Sequence, residues 1–187
     1  MSFHPVVLQH EPVVLDLSTN APVFPDTPWT IGRYDEVRPG LYTQPLFGGA
    51  RTVHMGVDLG APAGAAVHAF DRGTIVHAGY NPAPGDYGHV LVARHRLDGR
   101  PVYALYGHLS AASVPRWAPG HSFGRGEVLG WLGDRAENGG WTPHLHFQLS
   151  WDRPDTHDMP GAVHHDERAE ALERYPDPRR VLGPIYS

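Results

Sequence analysis

The sequence predicts a mainly β fold of short strands and tight turns with few short helices, and three observations carry that expectation. The 187 residues include 22 glycines and 19 prolines, which set turns and interrupt helices. The apolar runs are of strand length and rich in aromatic and branched residues, as in Val102-Tyr103-Ala104-Leu105-Tyr106. In Thr142-Pro143-His144-Leu145-His146-Phe147 two histidines alternate with apolar neighbours, a period of two that belongs to a strand. A chain of this length is expected to form one domain with a sizeable core.

Residues 1–43 mix apolar pairs (Val6-Val7, Val13-Val14) with Pro22, Pro25, Pro28 and Pro39, and read as irregular chain and short strands wrapping the rest. Residues 44–150 are the strand-rich core. Within them His54 and Asp58 are four apart, which keeps both on one face of a strand or a helix, and Gly56 and Gly60 disfavour the helix. Asn81-Pro82-Ala83-Pro84-Gly85-Asp86 is a loop. After Trp151 the chain turns polar, and residues 151–187 form an extension with one short helix over 166–174, ended by Pro176 and Pro178.

The chemistry sits on the strands. Residues i and i+2 of a strand stand side by side, so His144 and His146 can aim two imidazoles at one point. With His54 and Asp58 they offer three imidazoles and a carboxylate, the ligand types that Zn²⁺ favours. A further histidine, His108, ends the apolar run at Tyr106-Gly107-His108-Leu109. Three polar positions on strands between apolar neighbours point to one shared groove.

His54-x-x-x-Asp58, Tyr106-Gly107-His108-Leu109 and His144-Leu145-His146, in that order, resemble the lysostaphin-type (LytM-like) zinc metalloendopeptidases. The passages 60–69, 71–76 and 124–133, the last with recurrent glycines, are similar as well, so the likeness covers about residues 44–150. It implies an antiparallel β-sheet or sandwich of the duplicated hybrid motif type with a narrow groove, residues 44–150 being the metallopeptidase core. It further implies that His54, Asp58 and His146 ligate zinc and that His108 and His144 are catalytic histidines that do not. The implied substrate is an extended peptide with small residues, a peptidoglycan cross-link first. A catalytic zinc keeps three protein ligands and a place for water, so five protein ligands would close the site.

The carboxyl-terminal segment, with Asp158-Met159-Pro160-Gly161 and Asp177-Pro178 ahead of Val181-Leu182-Gly183, resembles the metallopeptidase-like domain that lies between a kinase-like and an aminotransferase-like domain in some large fused proteins. That likeness implies a cytoplasmic place and a different amide substrate. The first ten residues lack the basic start and apolar run of a secretory signal peptide, so the chain is expected to be cytoplasmic or a piece of an exported or fused protein.

Composition excludes other classes. The formal charge of −5 with no basic cluster argues against nucleic acid as the partner. No stretch approaches the roughly 20 apolar residues of a membrane span. Without cysteine there are no disulfides or thiolate ligands. The sequence does not fix an oligomeric state. A non-catalytic zinc-binding scaffold is an alternative reading, since fold does not imply function. A phosphocarrier resembling the glucose-specific enzyme IIA proteins is another, but Asp58 would repel a phosphohistidine.

The remaining histidines have bland expectations. His68 and His77 flank the Gly73 turn, and His89 and His95 lie around another turn, as wall or surface residues. His4, His10, His121, His157, His164 and His165 fall in polar or terminal segments, the last two in a flexible tail. Trp29, Tyr34, Tyr42, Trp141 and Trp151 are candidate groove walls or core aromatics.

Overall fold

A computed structural model describes residues 3–187. Its strands are β1 (Val13–Val14), β2 (Thr30–Gly32), β3 (Arg51–His54), β4 (Val57–Gly60), β5 (Ala66–His68), β6 (Gly73–Asn81), β7 (Gly88–Leu97), β8 (Arg100–Leu109), β9 (Ser122–Phe123), β10 (Val128–Trp131), β11 (His144–Ser150) and β12 (Ala162–His164). Eight of them make one sheet in the order β1-β2-β4-β11-β8-β7-β6-β9, antiparallel except for β1 with β2. β5 pairs with β10, and β3 with β12. The fold is mainly β with few short helices, as the sequence predicts.

The strand period sorts the side chains of the central strands onto two faces. Leu91 and Ala93 of β7, Ala104 and Tyr106 of β8, and Leu145, Phe147 and Leu149 of β11 enter the main core. Val90, Val92 and Leu105 face the other way and are covered by Tyr87 and Met159. Phe147 is fully buried against Phe70 and Tyr106. Truncating such a side chain to alanine typically costs about 3–5 kcal/mol.

Near its end β8 departs from simple alternation. His89 of β7 pairs with Leu109 and Leu91 with Tyr106, so three steps on β8 match two on β7. This is a bulge, and within it His108 takes a left-handed backbone with φ +63°. Strict alternation would send His108 into the core beside Tyr106. The extra residue turns it to the opposite face and returns Leu109 to the core.

The polar carboxyl-terminal stretch holds more regular structure than the sequence reading expects. Helix α1 (Arg168–Arg174) falls within the predicted 166–174. A second helix, α2 (Arg179–Leu182), follows, and Pro178, read as a terminator, stands at its amino-terminal cap, where a fixed φ and a missing N–H suit a helix start. Val181, Leu182, Ile185 and Tyr186 reach the main core. His164 ends β12 and His165 begins a single 3₁₀ turn, so neither lies in a flexible tail. His89 and His95 are both on β7 rather than on either side of a turn.

Candidate metal centre

β2, β4, β11 and β8 lie side by side, and their register sets Gly32, Asp58, His146 and Gly107 in one row across the sheet. On β4, Val57 and Leu59 point into the core, which leaves Asp58 on the opposite face. On β11 the same alternation presents His144, His146 and Gln148 to that face. His54 arrives from the end of β3 through the tight turn at Met55-Gly56. A side chain at position 56 would crowd this turn, since a Cβ there would lie 2.5 Å from His146 Cε1.

Three side-chain atoms converge. His54 Nε2 is 3.0 Å from His146 Nδ1 and 3.2 Å from Asp58 Oδ1, and His146 Nδ1 is 3.1 Å from the same oxygen. Ligands about 2.0–2.1 Å from a tetrahedral ion stand roughly 3.3 Å apart, so a triangle of this size suits one small cation. His54, Asp58 and His146 are the one such group of metal-capable side chains among the described residues.

The outer hydrogen bonds settle which ring nitrogens face inward. His54 Nδ1–H donates to the Arg33 carbonyl at 2.8 Å, and His146 Nε2–H donates to Gln148 Oε1 at 3.0 Å. Gln148 is fully buried and donates its own amide to the Pro160 carbonyl at 3.3 Å, which orients its oxygen toward the ring. Each imidazole therefore turns a lone pair toward the other and toward a carboxylate oxygen. Three lone pairs about 3 Å apart with no proton between them repel, and a cation at their centre reverses the sign.

The other two histidines are built alike. His108 Nδ1–H donates to the Asn138 carbonyl at 2.8 Å and His144 Nδ1–H to the Thr142 carbonyl at 2.7 Å. Their Nε2 atoms are thereby left as acceptors, His144 Nε2 lying 3.7 Å from Asp58 Oδ1. The two rings stand 4.3 Å apart between centroids. All five sequence-predicted site residues are thus brought into one cluster.

The electrostatics follow from burial and from one cation. Burial, reinforced by the Arg38 charge, pushes the His54 imidazole down to about 4. Burial also holds His108 well below the ordinary histidine range, and it lowers His144 against an opposing pull from Asp58. For Asp58 burial alone would raise the pKa, but the Arg38 guanidinium beside it outweighs burial and keeps the carboxyl well below its usual range.

Arg38, Glu36, Gln148 and Asn138 carry no motif and were not singled out from the sequence. Gln148 alone had a readable signal, as a third polar residue at the i+2 step after His144 and His146. The buried Asn138 fills all four of its side-chain hydrogen-bonding positions within the 133–141 loop, which fixes the carbonyl that holds His108. Of the five candidate wall aromatics, Tyr42 and Trp141 line the cleft over the cluster, together with Leu15 and Phe24. Trp29, Tyr34 and Trp151 instead pack against the core. His68, His77, His89 and His95 each bond a backbone carbonyl away from the cluster.

Known proteins resemble this chain in sequence and in fold. The family model of Peptidase family M23 matches residues 52–158, more than half of the chain. The DD-carboxypeptidase/endopeptidase Mpg of Neisseria meningitidis serogroup B is 38% identical over 96 residues, 51% of this chain and 20% of that protein, and Mpg of Neisseria gonorrhoeae matches equally. This chain thus spans about a fifth of the length of the curated relatives it matches. Among solved structures, the catalytic domain of the antimicrobial peptidase lysostaphin from Staphylococcus simulans superposes with a TM-score of 0.50 at 23% identity, covering 76% of this chain and 92% of that domain. At that identity the likeness bears on the fold alone.

Proposed function

We propose a function from one premise: the chain belongs to peptidase family M23 and is a metallopeptidase. In this reading His54, Asp58 and His146 hold one zinc ion, and the protein hydrolyses an amide bond in an extended peptide, a peptidoglycan cross-link first. The observation that carries it is the triangle of inward lone pairs, 3.0–3.2 Å on a side, with its imidazoles fixed from outside. Its donor set of two neutral imidazoles and one carboxylate fits zinc.

Held by His54, Asp58 and His146, a zinc ion would supply polarisation of the scissile carbonyl and a water acidified to a pKa of about 7. His108 and His144 are neutral acceptors whose Nε2 lone pairs face the site. Between them they take the attacking water's proton and return it to the departing amine. Their Nδ1–H bonds to Asn138 and Thr142 keep the rings aimed throughout. The apolar cleft walls admit an extended chain and exclude water around it. The Neisseria relatives are named DD-carboxypeptidase/endopeptidase, which supports cleavage of an amide bond in a peptide.

The test is metal content by elemental analysis after chelator-free purification, followed by incubation of the zinc-loaded protein with purified muropeptides and with Gly-rich and D-Ala-containing peptides, His108→Ala serving as control. About one zinc per chain and cleavage by wild type alone are expected. Wild type as inert as the control would remove the wall substrate and leave another amide substrate or a non-catalytic zinc domain.

A further inference from the structure

Arg38 lies outside every motif of the chain, in the irregular segment after β2, yet its side chain is buried at 1% exposure beside the metal triangle. A buried guanidinium needs all its donors engaged. Here Nε donates to Glu36 Oε2 at 3.0 Å, and one terminal nitrogen donates to Asp58 Oδ2 at 2.7 Å and to the Tyr42 hydroxyl at 3.1 Å. The other terminal nitrogen donates to the Arg33 carbonyl at 3.1 Å. That carbonyl is the one that accepts His54 Nδ1–H. One cation therefore braces two of the three proposed ligands, Asp58 directly and His54 through a shared acceptor.

The contact also divides the carboxylate. Oδ1 faces His54 and His146, while Oδ2 is held away by Arg38. Gly32 is the clearance for this arrangement, because a Cβ there would lie 2.8 Å from the Arg38 terminal nitrogen and 3.0 Å from Asp58 Oδ2.

Resting on the zinc reading above, we propose that Arg38 is a positioning residue that restricts Asp58 to metal ligation through a single oxygen and fixes the His54 ring for the same ion. Charge and position make opposite demands, which renders the idea testable. A positive group beside a cation repels it, so deleting Arg38 for its charge alone tightens binding. Deleting it as a brace loosens binding, by about 10–100-fold for partners of this kind.

The experiment titrates the metal-free protein with Co²⁺, reading the visible d–d absorption, and measures Zn²⁺ affinity by chelator competition. Wild type, Arg38→Gln, Arg38→Lys, Gly32→Ala and Asp58→Ala are compared, with folding followed by circular dichroism. Arg38→Gln is expected to bind about 10–100-fold more weakly and to show a changed Co²⁺ spectrum as Oδ2 is released. Arg38→Lys should recover part of the affinity but not the spectrum, and Gly32→Ala should shift both in the direction of Arg38→Gln. A folded Arg38→Gln that binds as tightly as wild type or more tightly, with the wild-type spectrum, overturns the proposal. If Arg38→Gln does not fold, Gly32→Ala decides by the same criterion, since it keeps every charge. Asp58→Ala separates the two readings: undiminished metal binding in that variant defeats the zinc assignment itself, whereas loss there and not in Arg38→Gln defeats only the role of Arg38.

Discussion

Two kinds of buried histidine occur in this molecule, and they differ in what their second nitrogen meets. His95, on β7 in the main core, stacks on Phe70 with ring centroids 4.0 Å apart. Its Nδ1–H donates to the Arg72 carbonyl at 3.2 Å, and its Nε2 accepts the Tyr106 hydroxyl at 3.1 Å. Both nitrogens are satisfied, and the ring is a piece of core. His54 and His146 are equally buried, and each also gives one N–H to an acceptor, but the remaining lone pairs meet only each other and a carboxylate. Burial and depressed basicity are common to His54 and His95, so neither property marks a site. The uncompensated lone pair does.

The sharpest way to break this contrast is to remove a converging group. His54→Ala, Asp58→Ala and His146→Ala should each abolish stoichiometric zinc by elemental analysis, whereas His95→Ala should keep it. Full zinc in Asp58→Ala would erase the distinction.

Next in size are the two histidines whose free lone pairs are proposed to handle protons. His108→Ala and His144→Ala should retain zinc while losing activity by a factor of the order of 10²–10⁴. Loss of zinc from His144→Ala would transfer that residue to the ligand set.

The core histidine should announce itself through stability instead. Burial pushes His95 down to about 4 from an ordinary 6.5. Above pH 6.5 it is neutral whether the chain is folded or not, so its contribution is fully present there. Between 6.5 and 4 the unfolded chain takes up the proton and the folded one does not, and roughly 3 kcal/mol of stability is lost as the pH falls. Denaturant midpoints measured at pH 7 and pH 4.5 should therefore converge in His95→Gln relative to wild type. An undiminished drop in the variant would assign the acid sensitivity elsewhere.

The smallest expected effect concerns the brace behind one ligand. Gln148→Leu keeps the volume but orphans His146 Nε2–H, and zinc affinity should fall about 10–100-fold by chelator competition. No change would mean that packing alone aims the ring.

Much of the centre was legible because strand periodicity is a local property. His144 and His146 are bound to share a face, and the alternation of Val57, Asp58 and Leu59 leaves only one direction for the carboxylate. His108 was legible as a residue but not as a direction, since its aim depends on a bulge that is defined only against β7. Arg38 and Glu36 were not legible at all. They come from the irregular segment 33–38, and what recruits them is backbone pairing with β3, through Arg38 N–H to the Thr52 carbonyl and His54 N–H to the Glu36 carbonyl. No sequence period encodes such pairing. The second helix was missed for a related reason: a proline is a stop when read from the helix before it and a start when read from the helix after it.

The pairing of β4 with β11 has a temporal side. Asp58 and His146 are partners in register although 88 residues separate them in the chain. Loop closure over such a span is slow and cannot be anticipated by local folding. During synthesis or refolding, an intermediate that lacks a docked β11 holds only two of the three converging groups, His54 and Asp58. On the proposed zinc assignment, metal capture would be a late event that reports completion of the sheet, and a metal pulse at successive refolding times would clock the docking of β11.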